Sequence, residues 1–230
     1  VGRERVDQAP TFAVMRPDPL RAIDPLNAEW VTIVLLVVVM VLTFTNVSSP
    51  RKWRLLAQAL FRMRLGRQAL REEVDLRDRT LLGLVLIALS VLALFGWQSD
   101  TLYAAGPGFS YLQWTGVLAA LVVGQSVVVG FVNRLVGHDG GLTEHLYTGL
   151  LLYVLGGLLL LPVVALVAYR VEWRPEAVLT GSVVLGLLLL FRWLRGLWVG
   201  WGEGASIRHI ILYLCAAEIM PVLLLISALR

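Results

Sequence analysis

Long apolar blocks alternate with short polar stretches along this chain. The blocks fall at 30–47, 80–97, 111–136, 145–169, 177–199 and 207–229, each of around 18 residues or more, and at 1.5 Å per residue each can cross a hydrocarbon core about 30 Å thick. None alternates as a strand would, and backbone inside a bilayer must satisfy its own hydrogen bonds, so each block is expected to be a helix. The pattern predicts an all-α, polytopic transmembrane helical bundle of about six spans. Aromatic residues mark the block ends at Trp30, Trp97, Tyr111, Trp114, Tyr169, Trp173, Trp198 and Trp201, where an amphipathic ring sits well between lipid and water.

The polar stretches set the expected orientation. Thirteen Lys and Arg fall on one side of the six spans, nine of them at 51–79, and seven on the other. Basic loops are retained in the cytoplasm, so the 50–79 loop is expected to be cytoplasmic and both termini extracytoplasmic. Residues 1–29 carry Pro10, Pro17, Pro19 and Pro25 and no apolar period, and read as an extracytoplasmic tether able to dock on a neighbour. Residues 30–230 read as one six-helix transmembrane domain. The sequence opens at Val1 with no early apolar stretch, as it would after signal-peptide removal or trimming.

Composition agrees: 58% of residues are hydrophobic, 16% are charged, and mean hydropathy is +0.76, against about a quarter charged in soluble domains. The net charge of +4 and pI near 9.6 do not point to nucleic acid, because the basic residues lie between apolar blocks and not on a polar domain. The one cysteine, Cys215, lies within the last block and carries no disulfide information.

Within 50–79, Trp53, Leu56, Leu60, Met63, Leu70 and Val74 follow helical spacing, while Arg54, Arg62 and Glu73 fall on other faces and Arg51, Lys52, Arg64 and Arg71 lie close by. Such a stretch suits a helix lying on an anionic leaflet with its apolar stripe in the acyl boundary, although Arg67 interrupts that stripe. Its lipid-surface or partner-binding candidates are Trp53, Arg54, Leu56, Leu60, Arg62, Met63 and Arg64. A solvated helix acting only as a topology signal has the same pattern.

Charge within a span costs roughly 2.5–3.5 kcal/mol at the bilayer centre, so intramembrane charges are functional candidates. Glu218 in the last block and Arg192 in the fifth would lie at similar depths if these two spans form an antiparallel hairpin. Arg195 follows Arg192 by one turn and Cys215 precedes Glu218 by one turn, so a polar cluster of Arg192, Arg195, Tyr213, Cys215 and Glu218 is expected. It can serve as a structural lock or as a proton-linked or ligand-binding site. Pro162 and Pro221 inside spans invite kinks. Gly116, Ala120 and Gly124 recur every four residues on the third span and Gly149 and Gly156 share a face of the fourth; packing inside the bundle is expected, with self-association as the alternative. Gln125 is expected to form an interhelical hydrogen bond.

The usual enzyme signatures are weak. His138, Asp139, Glu144 and His145 read as a polar, capping loop more readily than as metal ligands. His145 and His209 could face each other at one leaflet for haem, with nothing else redox-like nearby. Gly204-Ala205-Ser206 faintly suggests an intramembrane serine protease, but no later histidine can act as its base. No phosphate loop is present, and neither a metal nor another cofactor is expected.

One resemblance adds to this reading. Glu29-Trp30-Val31-Thr32-Ile33, the loop ending at Arg71-Glu72-Glu73, Pro162 and above all the Tyr-x-Cys-x-x-Glu-Ile-x-Pro stretch from Tyr213 to Pro221 resemble a Bacteroidota inner-membrane family, the domain of unknown function 4271, over nearly the whole chain after residue 28. The resemblance implies a Gram-negative inner membrane and points to Tyr213, Cys215, Glu218 and Pro221 as a shared feature; it implies no activity. The chain departs from the family's Lys-rich style by favouring Arg. The expected partners are the phospholipid bilayer and a membrane protein, and the expected role is a non-enzymatic integral subunit or scaffold of a cell-envelope complex. A small transporter or flippase for an anionic or lipid-linked substrate is the alternative, and an intramembrane enzyme comes third.

Overall fold

The structure is a computed structural model that describes residues 24–48, 79–104, 108–136 and 142–202. Five long helices form there: α1 (Glu29–Ser48), α2 (Arg79–Tyr103), α3 (Tyr111–Val136), α4 (Leu142–Tyr169) and α5 (Arg174–Gly202). A 3-10 turn, Pro25–Asn27, leads into α1, and another, Val171–Trp173, joins α4 to α5. All five helices are long and apolar enough to cross a membrane, which is consistent with an integral membrane protein. The sixth expected span, at 207–229, and the 50–79 loop lie outside the described residues.

Hydroxyl side chains inside these helices bond to the carbonyl one turn back. Thr43 donates to Val39, Thr45 to Val41, Ser90 to Leu86, Ser126 to Val122 and Thr180 to Glu176. A polar group in lipid has no water to turn to, and the i−4 carbonyl is the nearest acceptor.

The core lies between α2 and α4, the two most buried helices, with α1 and α3 packed on α2 and α5 on α4. On α2 the inward side chains Leu81, Leu84, Ala88, Val91, Phe95 and Gln98 recur at alternating steps of three and four residues, the seam of a helix packed along a partner. The two helices approach closely at Ala88 and Gly157, where a Cβ on Gly157 would stand 2.5 Å from the Ala88 Cα. Gly181 of α5 likewise makes room for the ring of Phe95, 2.5 Å from where its Cβ would be. Glycine's helix cost of about 1 kcal/mol is offset here by backbone contact that no larger residue permits.

Two expectations change. The loop expected at 98–110 starts only after Tyr103, because the polar residues Gln98, Ser99 and Thr101 all find acceptors while remaining helical. The small-residue stripe of α3 does not pack inside the described bundle: Gly116, Ala120 and Gly124 are exposed, and a Cβ on either glycine would meet nothing within 4 Å. α3 starts as its sequence favours, with a capping box in which Ser110 Oγ accepts from the Gln113 N–H and Gln113 Oε1 accepts from the Ser110 N–H.

A candidate intramembrane polar cluster

Arg192 and Arg195 continue the stripe of α5 that begins with Ala177, Val178 and Gly181 and faces α4. Each is only 6% exposed. Opposite them, α4 presents Gly149 and, one turn on, Tyr153. The Arg192 guanidinium carbon lies 5.0 Å from the centroid of the Tyr153 ring, and a Cβ on Gly149 would lie 3.3 Å from Arg192 Nη2. Gly149 thus leaves a notch in α4 for the guanidinium to lie across, and the Tyr153 ring forms one wall. Tyr153 Oη donates to Gln125 Oε1 of α3 at 3.4 Å, a long bond that nonetheless makes the expected interhelical contact of Gln125. Three helices meet around one buried cation.

Magnitudes show why one ring is not enough. A desolvated cation–π contact contributes about 2 kcal/mol, below the roughly 2.5–3.5 kcal/mol that an arginine costs at mid-bilayer. Arg192, Arg195 and Thr148, which is 2% exposed, each take part in further interactions. Of the expected cluster, the structure brings Arg192 and Arg195 to one face. Tyr213, Cys215, Glu218 and Pro221 lie outside the described residues, as do Trp53, Arg54, Leu56, Leu60, Arg62, Met63 and Arg64. Pro162 falls inside α4 with an exposed ring.

The opposite end of the bundle is polar in a different way. Asp24 forms an ion pair with Arg174, and Arg174 Nε donates to the Val167 carbonyl at 2.9 Å. Gln98, fully buried on α2, donates to the Val164 carbonyl at 3.2 Å. Trp30 packs on Trp97 at 4.7 Å and on Tyr111 at 5.4 Å between centroids, gathering three expected interface aromatics into one cluster. Asp100 Oδ2 accepts from the Phe109 N–H at 2.6 Å and from Trp114 Nε1 at 3.4 Å, stapling the α2–α3 turn.

Sequence reasoning missed Tyr153, Asp24, Asp100 and Gln98. Tyr153 resembles any aromatic in an apolar block, and its signal is only its place one turn after Gly149. Of the polar loop considered for metal, Glu144 and His145 fall in the first turn of α4. Among the described residues, no group of three or more His, Cys, Asp or Glu is placed to hold a metal ion.

Helices of this length and apolarity, packed on an aliphatic seam, form an all-helical bundle consistent with an integral membrane protein. A family described as a domain of unknown function (DUF4271) matches residues 31–229, and the chain belongs to that family. No curated protein and no solved structure matches it.

Proposed function

We propose that the protein is a non-enzymatic integral subunit or scaffold of a cell-envelope complex in the inner membrane of a Gram-negative bacterium of the Bacteroidota type. In this reading it crosses six times with both ends outside. What supports it is the middle of the bundle. Leu84, Val91, Leu94, Leu160, Val164 and Val167 are all 2% exposed or less, and Ala88 meets Gly157 backbone to backbone. A carrier needs groups along a path that replace the hydration of its substrate; an aliphatic seam of this kind provides helix-to-helix adhesion instead.

On the same reading, the segment 207–229 returns beside α5 and sets Glu218 against Arg192, so that the arginine is neutralised and the hairpin locked. The 50–79 stretch then lays Trp53, Leu56, Leu60 and Met63 on the anionic inner leaflet, with Arg54, Arg62 and Arg64 toward its headgroups. The second reading, a small transporter or flippase for an anionic or lipid-linked substrate, draws support from Arg192 and Arg195, two buried cations one turn apart.

Mass spectrometry of native particles extracted without detergent separates the two. A stoichiometric protein partner, with no lipid whose retention depends on Arg192, is the result expected. An anionic lipid that stays bound to the wild type and is lost from Arg192→Met, with no protein partner, would replace the scaffold by the flippase.

A further inference from the structure

Two aspartates hold the same end of the bundle, over different ranges. Asp100 is local: it fastens the turn between α2 and α3 through the Phe109 amide and the Trp114 indole. Asp24 reaches across 150 residues of sequence to Arg174, the first residue of α5. Its other carboxylate oxygen accepts from the Leu26 N–H at 3.1 Å and so shapes the turn that seats Leu26, 2% exposed, in the bundle.

The two sides of this ion pair are unequally buried. The Asp24 side chain is 30% exposed and that of Arg174 only 10%. Losing the carboxylate therefore costs Asp24 little and Arg174 much: a cation is left buried beside one carbonyl, Val167 O. A buried charge without its counter-ion is relieved by turning toward water. Arg174 stands between the α4–α5 turn and the rest of α5, so its exit loosens that turn, and the turn ahead of α1 loses its tie to it through Asp24.

We infer that Asp24 and Arg174 form a clasp. The turn ahead of α1 and the turn between α4 and α5 open and close as one local unit, separate from the α2–α3 turn held by Asp100.

Hydrogen exchange on the full chain in lipid nanodiscs tests it. Asp24→Asn is expected to speed exchange about tenfold or more at amides 26–31 and also at 170–178, leaving 109–114 at the wild-type rate. Arg174→Met removes the buried charge while filling its space, so adding Asp24→Asn to that background should not speed 170–178 further. The clasp is overturned if Asp24→Asn leaves 170–178 unchanged, if it speeds 109–114 equally, or if its effect at 170–178 is the same with Met at 174.

Discussion

Gly149 and Arg192 share one space: the position that a Cβ on Gly149 would occupy is 3.3 Å from Nη2 of the guanidinium. The arginine on α5 lies where α4 has no side chain. Its burial is thus specified from the facing helix, and four substitutions follow that distinguish this from nonspecific packing.

Gly149→Ala should be close to neutral. The tight contact falls on the far end of a flexible side chain, which can give by a few tenths of an ångström, and alanine recovers up to about 1 kcal/mol of helix propensity. Gly149→Leu should lose about 1–3 kcal/mol through overpacking and displacement of the guanidinium. Reversible unfolding in mixed micelles measures both.

At Tyr153 the ring and the hydroxyl can be separated. Tyr153→Phe keeps the face under Arg192 and gives up only the 3.4 Å bond to Gln125, a loss of about 0.5–1 kcal/mol. Tyr153→Leu also removes the π-face and should cost a further 1 kcal/mol or about that. Equal losses in the two variants would show that the ring does not support the cation.

Glycines at two places should respond differently to the same methyl group. Gly157→Ala places a methyl 2.5 Å from the Ala88 Cα, and since backbone cannot yield as a side-chain tip can, it should destabilise by about 1–3 kcal/mol. Gly116→Ala meets nothing within 4 Å and should be neutral or stabilising by up to about 1 kcal/mol. The thermal midpoint of the purified protein reports the difference.

Acid should act on Asp24. The Arg174 guanidinium beside it holds its carboxyl below the usual range, the Leu26 amide adds to this, and partial burial opposes it. A depressed native value means that the pair contributes its stability in full above the ordinary carboxylate value of about 3.9 and loses it as pH falls through the native one. The stability gap between wild type and Asp24→Asn should therefore be constant from neutral pH to about pH 5 and narrow below about pH 4. Midpoints measured across that range check the sign.

Helix existence and rough position were legible because hydropathy reports them directly. α2 runs six residues beyond Trp97 because a helix end is set by whether polar groups find partners: Gln98 has the Val164 carbonyl, and Ser99 and Thr101 have the turn behind them. Facing was far less legible. A helix apolar on every side carries no periodic signal of which side is inner, so Gly116 on α3 and Gly157 on α4 look alike in sequence and meet opposite surroundings. Arg192 and Arg195 stood out because charge is rare in an apolar block. The seat for Arg192 did not, because Gly149 is defined by what it lacks and Tyr153 by a ring that many spans carry.

The inward turn of the serine and threonine hydroxyls bears on how such a chain is made. Since Thr43, Thr45, Ser90, Ser126 and Thr180 bond within their own helices, none of these five groups has to wait for a neighbouring helix before leaving water. In a bilayer these five hydroxyls would be satisfied as soon as their own helix forms, which leaves Gln98 and Arg192, whose partners lie on other helices, as groups that need the bundle to assemble.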